Sequence, residues 1–318
     1  MKKIIGSAVL VILAVFLIRG FWDSQLTPVS SEKETKSFVI TKGGSFSEVS
    51  KKLSDEGLIK SSFFFTFFAK QSGLSDKIQS GTFKLSPSMS AEEILKTITG
   101  NPVDDWVTLL EGWRIEEMAE KLNSEFRIQN SEFLKIAKEG YMFPDTYLFP
   151  KDYSAEQIAK IMMDNFEKKY TEALRTKIKS LGLSEDQGVI LASIVEREAR
   201  SYEARRMVAS ILLKRLKIGM GLNADATVQY ATGYQPQEKS WWKRHLTKED
   251  LRVESHYNTY IYSGLPPTPI ANPSLSSLQA VADADLSIPY LYYYHDSKGN
   301  SYYAKTLDEH NQNIANNP

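Results

Sequence analysis

The hydrophobic pattern of residues 1–22 differs from that of the rest of the chain. Two lysines precede a run of apolar and small residues from Ile4 to Ile18, and Phe21 and Trp22 follow this run. A helix of about 20 such residues is long enough to cross a bilayer. A cleaved signal peptide is the alternative, but it needs a small-x-small site, and RGFWDSQL contains none. We therefore expect residues 1–22 to form a retained transmembrane helix, and the preceding lysines favour a cytoplasmic N-terminus.

Residues 23–105 begin with a polar segment and continue with short periodic segments. Residues 23–36 lack an apolar period, which predicts a tether. From residue 37 the pattern predicts a strand, a glycine turn, two helices, a second strand and a third helix. Ser45 and Glu48 have the spacing of a capping box at the first of these helices. We therefore expect a small αβ module over residues 37–105.

A similar strand, glycine turn and helix follow this module. When the two segments are aligned, Gly43 of the first turn falls on Gly112 of the second. The segment is either a true repeat or a chance match, because any strand–turn–helix with one apolar stripe aligns in this way.

Residues 106–318 combine helices with aromatic loops. The segment EGYMFPDTYLFP predicts a rigid loop or a short hairpin. Helices are predicted from Ser154, from Ser184 through LASIVEREAR, and over YEARRMVASILLKRLKIG to Gly219. Turns, tyrosines and prolines then dominate, and a late helix and an aromatic hairpin follow. The fold class is therefore predicted as α+β, with a transmembrane helix, the small αβ module and a mixed helical and β domain over residues 106–318.

Composition removes several kinds of chemistry. Lys+Arg and Asp+Glu both number 39, so no global field favours nucleic acid. Cysteine is absent, which excludes thiol catalysis and thiolate metal sites. The four histidines are scattered without metal-ligand spacing, and neither a G-x-S-x-G motif nor a phosphate-binding glycine loop occurs. We expect no metal and no cofactor, so carboxyl groups are the candidates for catalysis.

The helix containing LASIVEREAR holds the best-placed carboxyl groups. It is apolar on nearly every side, which predicts burial, and Glu196 and Glu198 follow the apolar run. At about 100° per residue these two side chains point in nearly opposite directions, so we do not expect both to face one cleft. The small residues Ala192 and Ser193 lie one turn before Glu196 and leave room for a ligand. The alternative is a solvent-exposed ion pair between Glu196 and Arg200.

Four ordered blocks resemble those of the endolytic murein transglycosylase (YceG-like) family. These blocks are EGYMFPDTYLFP, LASIVEREA, YNTYIYSGLPPTPIANPSLSSLQAV and YLYYYHDSKGNSYYAKTLDEHN. The resemblance runs from the N-terminal segment to about Asn311, and the module at 37–105 resembles the LysM-like module of that family. The segment at residues 224–227 departs from the family's T-D-P-T pattern. It keeps Asp225 and Thr227 but has Ala226 in place of proline.

The resemblance implies an enzyme that cleaves peptidoglycan glycan strands, with Glu196 as its catalytic acid. A carboxyl group with an ordinary pKa of about 4.3 is mostly ionised at neutral pH. The acid role therefore calls for a buried site that favours the neutral form, and an apolar helix would supply one. Once ionised, Glu196 would act as a base for the 6-hydroxyl of the muramic sugar, and the product would carry a 1,6-anhydro end.

Five further residues are expected to contact the glycan. Aromatic rings stack on sugar faces, which makes Tyr147 and Tyr257 candidates, with core packing as the alternative. Asp145 and Asn258 lie in the same loops and could form hydrogen bonds with hydroxyl or acetamido groups. Asp225 is a candidate because it matches the aspartate of the family's T-D-P-T pattern. In a hydrolase, Asp225 or Asp145 would be the second carboxylate.

The expected protein is a lytic transglycosylase held at the cell membrane by one helix, with its catalytic domain outside the cytoplasm. Its expected partners are peptidoglycan strands, the membrane and cell-wall synthases, and no nucleic acid. Two alternatives stay open. One is a membrane-tethered scaffold that binds peptidoglycan and has a structural Glu196, and the other is a muramidase-type hydrolase on the same fold.

Overall fold

The computed structural model describes residues 2–317, with side chains from residue 13 onward. Its first element is helix α1, Lys2–Leu26. Residue 1 and the side chains of residues 2–12, which belong to the expected anchor, lie outside the described part. Within the part of the chain that is described, no helix combines the length and the apolar character needed to cross a membrane. The assignment of residues 1–22 as a transmembrane helix stays a prediction.

The chain folds as two compact units, and the first comprises residues 1–107 and 147–152. After α1, its helices are α2 (Phe46–Asp55), α3 (Ser62–Gln71) and α4 (Ala91–Ile98). Its sheet has the strand order β1-β2-β3-β4, with β1 at Lys36–Ile40, β2 at Gly81–Leu85, β3 at Asp104–Thr108 and β4 at Thr146–Pro150. Strands β1 and β2 are antiparallel, and Phe38 lies opposite Phe83.

Local sequence signals explain the first unit well. The Ser45 hydroxyl accepts a hydrogen bond from the Glu48 N–H, and the Glu48 carboxylate accepts one from the Ser45 N–H. This capping box begins α2, whose Val49 and Leu53 are buried against the strands. The predicted order of strand, two helices, strand and helix is therefore confirmed, whereas the LysM-like classification of residues 37–105 stays a prediction.

The second unit comprises residues 108–146 and 153–318 and contains most of the helices. They are α5 (Ile115–Phe126), α6 (Asn130–Leu134), α7 (Ala155–Lys169), α8 (Glu172–Ser180), α9 (Glu185–Glu198), α10 (Tyr202–Lys217), α11 (Asp225–Thr232), α12 (Leu275–Ala282) and α13 (Leu307–Asn316). An antiparallel hairpin is formed by β5 (Tyr292–His295) and β6 (Ser301–Ala304). The mixed α+β fold class is confirmed.

Two parts of the second unit differ from the predicted pattern. The helix expected from Ser154 is split into α7 and α8 at Tyr170. The split allows the Tyr170 ring to be buried while its hydroxyl donates to the Glu185 carbonyl oxygen at 3.1 Å. Helix α11 lies in a segment that sequence reasoning assigned to turns. Helix α13 lies in one that sequence reasoning did not assign, although its N-cap Thr306 accepts a hydrogen bond from the Glu309 N–H.

Helix α9 is the centre of the second unit. Every residue from Gly188 to Val195 is buried, as its apolar pattern predicts. Helices α8, α10, α11 and α12 contact it. The helix ends at Glu198 because Ala199 is extended, with φ −141° and ψ 150°. Glu196 therefore lies in the last turn, where the buried helix reaches the surface of the unit.

Candidate active site

The carboxyl group of Glu196 is enclosed by hydrogen-bond donors from α10 and α12. The side chain is only 4% exposed. Its Oε1 accepts a hydrogen bond from Nη2 of Arg205 at 2.6 Å. Its Oε2 accepts from the N–H and the hydroxyl of Ser274, at 2.9 and 2.5 Å, and from the hydroxyl of Ser277 at 2.7 Å. Four donors therefore converge on one carboxyl group.

These surroundings are polar, whereas the sequence predicted an apolar pocket. Ser274 is the N-cap of α12, so the carboxyl group lies at the N-terminus of a helix, where N–H groups and the dipole stabilise an anion. The buried guanidinium of Arg205 adds a charge-assisted hydrogen bond. The difference arises because α10 and α12 contribute groups that the pattern of α9 does not reveal.

The ion-pair partner of Glu196 also differs from the one that helical spacing suggests. Because Ala199 is extended, Arg200 is not placed one helical turn after Glu196, and it is exposed. Arg205, in the first turn of α10, occupies the site instead. It also donates to the Ala199 carbonyl oxygen at 3.0 Å and to the Ser274 hydroxyl at 3.1 Å. The ion pair is therefore buried rather than solvent-exposed.

The loop before α5 is fixed against Glu196 by backbone hydrogen bonds. The Gly112 N–H donates to the Asn272 carbonyl oxygen, and the Asn272 N–H donates to the Trp113 carbonyl oxygen, both at 2.9 Å. Gly112 has a φ of +73°, and a Cβ atom there would lie 3.3 Å from Cγ of Glu196. Backbone conformation and close approach both favour glycine at this position.

A second carboxyl group, that of Glu111, lies beside Arg205. Its Oε2 is 3.9 Å from Nη2 of Arg205, and its side chain is 58% exposed. Partial burial and the charge of Glu196 raise the pKa of Glu111, while Arg205 opposes the rise. Two carboxyl groups of very different exposure thus flank one guanidinium nitrogen.

Glu196 and Glu198 line one cleft of about 540 Å³ at the end of α9, together with the turn between β5 and β6. The expectation that these two residues would not face one cleft is wrong, because the cleft extends around the end of the helix. Glu198 also lines a second cleft of about 500 Å³. Burial raises the pKa of Glu198 to about 7, although a 3.0 Å hydrogen bond from the Tyr293 hydroxyl lowers it.

Asp225 is the predicted substrate contact that lines the second cleft, where its Oδ1 accepts a 2.6 Å hydrogen bond from the Tyr260 hydroxyl. The Tyr257 hydroxyl lies 2.6 Å from the Thr268 hydroxyl, and its ring contacts another tyrosine. Asn258 is fully buried, and its Nδ2 donates to two carbonyl oxygens of its own loop. Tyr257 and Asn258 are not among the residues that line the two clefts.

Asp145 and Tyr147 are likewise not among the lining residues of these clefts. Asp145 is exposed, and its Oδ2 accepts a hydrogen bond from Asn165 at 3.1 Å. Tyr147 belongs to the first unit, where its buried ring stacks on Phe149 with centroids 5.1 Å apart. Glycan contact by these residues stays a prediction.

Sequence reasoning missed Arg205, Ser274, Ser277 and Asn272. A signal was present for Arg205, which shares a face of α10 with Val208 and Leu212 and is buried with them. A charged residue on an apolar stripe indicates a buried partner. Among the described residues, no group of three or more His, Asp or Glu side chains is placed to hold a metal ion.

Comparisons with known proteins identify relatives of this chain. An endolytic murein transglycosylase of Bacillus subtilis (strain 168) is 32% identical over 325 residues, which cover 92% of this chain and 88% of the relative. One from Streptococcus pneumoniae serotype 2 is 27% identical over 358 residues, covering 96% of this chain and 64% of the relative.

A crystal structure of a YceG-like protein from Listeria monocytogenes has 30% identity and a TM-score of 0.62. The match covers 88% of this chain and 99% of that one. The sequence model of the YceG-like family matches residues 38–316, which is most of the chain. The chain therefore belongs to the YceG-like family.

Proposed function

We propose that this protein is an endolytic murein transglycosylase, an enzyme that cuts peptidoglycan glycan strands internally. The observation that carries the proposal is Glu196, a carboxyl group held by four donors at the end of a buried helix and beside an open cleft. Similarity to relatives named for this activity, over most of the chain, supports it.

In the simplest mechanism Glu196 serves in two steps. As an acid, it gives a proton to the glycosidic oxygen while the bond from that oxygen to C1 of the muramic sugar breaks. As a base, it then takes the proton of the 6-hydroxyl while O6 bonds to C1. The products are a free hydroxyl and a 1,6-anhydro end, and no water is consumed. Intramolecular attack of this kind gains several kcal/mol over attack by free water.

The contacts of Glu196 support the second step in particular. Arg205 and the N-terminus of α12 stabilise the carboxylate that has to accept the proton. The carboxylate is held on two sides, which fixes its oxygens for proton transfer. The cleft on the remaining side is lined by polar groups of residues 295–301.

The Glu196→Gln variant tests the proposal. We expect it to fold normally and to lose roughly 10²–10⁴-fold in activity, because a positioned proton donor and acceptor contribute about that much. Purified glycan strands digested by the wild type should yield 1,6-anhydro ends by mass spectrometry. The matched control is Glu203→Gln, an exposed glutamate in the first turn of α10, which should cut at the wild-type rate.

Two outcomes would contradict the proposal. Full activity of the Glu196→Gln variant would show that Glu196 is not the catalytic group, and a wild type that binds strands without cutting them would favour the peptidoglycan-binding scaffold. Reducing ends that take labelled oxygen from solvent water would identify a muramidase-type hydrolase, and Asp225 or Asp145 would then be sought as the second carboxylate.

We also propose that residues 1–22 anchor the protein in the cell membrane, with the catalytic domain outside the cytoplasm. The support is the apolar run behind two lysines. Apolar side chains of α1 are exposed as well, with Phe16 at 72% and Leu17 at 71%. We further propose that residues 37–105 are a LysM-like module and that cell-wall synthases are partners. The support for the module is its order of strand, two helices and antiparallel strand.

A further inference from the structure

Glu111 is held next to the catalytic carboxyl group by the fold rather than by chance contact. It precedes Gly112, whose N–H is bonded to Asn272. Asn272 in turn lies two residues before Ser274, which donates to Glu196. Backbone hydrogen bonds therefore join the loop that carries Glu111 to the segment that binds Glu196.

The two carboxyl groups meet at the same nitrogen of Arg205. Glu196 Oε1 lies 2.6 Å from Nη2, and Glu111 Oε2 lies 3.9 Å from it. The charge of Arg197 also acts on Glu196. The two carboxyl groups repel each other when both are ionised, and this repulsion contributes to the raised pKa of Glu111.

The proton is expected on Glu111 rather than on Glu196. Four donors point at Glu196, and such donors form stronger hydrogen bonds with a carboxylate than with a neutral carboxyl group. Glu111 Oε2 is 3.9 Å from Arg205, beyond hydrogen-bond distance, and the pKa of Glu111 is raised by partial burial and by the charge of Glu196. Its side chain is also far more exposed than that of Glu196, so it is open to a bound strand.

We propose that Glu111 is a second catalytic residue, the proton donor to the leaving glycosidic oxygen, while Glu196 acts as the base. This inference rests on the proposed function and divides between two residues the roles that the simplest mechanism gives to Glu196. The Glu111 proton moves to the leaving oxygen as its bond to C1 breaks. Glu196 takes the 6-hydroxyl proton as O6 bonds to C1.

After one turnover the proton that began on Glu111 is on the product, and the 6-hydroxyl proton is on Glu196. Release of that proton from Glu196 to solvent at the cleft and uptake of a proton by the exposed Glu111 restore the starting state. Protons and bonds balance without a water molecule being consumed. The arrangement resembles the paired carboxyl groups of other glycosidases, except that the nucleophile belongs to the sugar.

The test compares Glu111→Gln with Glu196→Gln on two substrates. One substrate is the purified glycan strand, and the other is a murein oligosaccharide that carries a dinitrophenol leaving group, which departs without a proton. We expect Glu111→Gln to lose at least roughly 10²-fold on strands and to keep most of its rate on the dinitrophenyl substrate. Glu196→Gln should be inactive on both.

The pH dependence gives a second readout. Loss of the proton donor should remove the decrease in rate at high pH that the wild type shows, because that decrease reports deprotonation of Glu111. The matched control is Glu125→Gln, an exposed glutamate of α5 that forms an ion pair with Lys121. It should leave both substrates and the pH profile unchanged.

Three results would overturn the assignment. Wild-type cutting of strands by Glu111→Gln, with Glu196→Gln inactive, would leave the proposed function intact and return both roles to Glu196. Equal losses on both substrates, or an unchanged pH profile, would make Glu111 a positioning residue. Absence of 1,6-anhydro ends from the wild type itself would instead reject the proposed function.

Discussion

Replacing Glu139 by glutamine should change how the stability of the second unit depends on pH. Glu139 is 8% exposed. Its Oε1 accepts hydrogen bonds from Nδ2 of Asn272 at 2.8 Å and from the Ile115 N–H at 3.2 Å. Burial raises the pKa of Glu139 from 4.5 to about 8, and the nearby Glu116 adds to the rise, while Arg114 opposes it. The group is therefore neutral in the folded protein at neutral pH.

The sign of the effect follows from proton binding. Between pH 4.5 and about 8, Glu139 is protonated in the folded state and ionised in the unfolded state. The folded state then binds more protons, so its stability falls as the pH rises through this range. Each unit of pKa difference corresponds to about 1.4 kcal/mol, so the full loss is on the order of 4–5 kcal/mol. The stabilising contribution is complete below pH 4.5 and is lost near pH 8.

Glutamine resembles the protonated carboxyl group in shape and cannot ionise. The wild type should lose stability as the pH is raised from about 5 to about 8, and the Glu139→Gln variant should not show this loss. The free energy of unfolding of the variant, measured by urea denaturation, should therefore increase relative to that of the wild type over this range. Taking the difference between the two proteins removes the contribution of the other titrating groups. The Glu125→Gln variant is the control and should follow the wild type. A difference that does not change with pH over this range would refute the reasoning.

Two other predictions concern the site loop and the membrane. Gly112→Ala should lower the free energy of unfolding by about 1–2 kcal/mol, because Gly112 has a positive φ. It should also lower activity on strands, since the new Cβ would lie 3.3 Å from Cγ of Glu196. Gly182→Ala is its control, because Gly182 has a φ of +82° with open space around it and should show the same strain with normal activity; equal activities of the two variants would contradict the steric argument. The full-length protein should fractionate with membranes and keep its N-terminus, whereas residues 37–318 alone should be soluble and still cut dissolved strands; a mature form that begins after Trp22 would reject the anchor.

Much of the fold could be predicted from sequence because its signals are local. The capping box of Ser45 and Glu48 fixes the start of α2 within a few residues of chain. The apolar run before Glu196 identifies a buried helix for the same reason, since burial on all sides needs apolar residues on all sides. Helix α11 gave no such signal, whereas the spacing of Thr306 and Glu309 at the start of α13 is a local cap that sequence reasoning overlooked.

By itself, the sequence determined that a glutamate, Glu196, ends a buried helix and that the chain has the blocks of a known family. Only the tertiary structure decided what surrounds that carboxyl group. Arg205, Ser274 and Glu111 come from three separate segments, and no spacing within α9 could have located them. Hydrogen bonds and charge act over a few ångströms of space rather than over chain distance, so the protonation of a buried carboxyl group is decided by neighbours that only folding brings together.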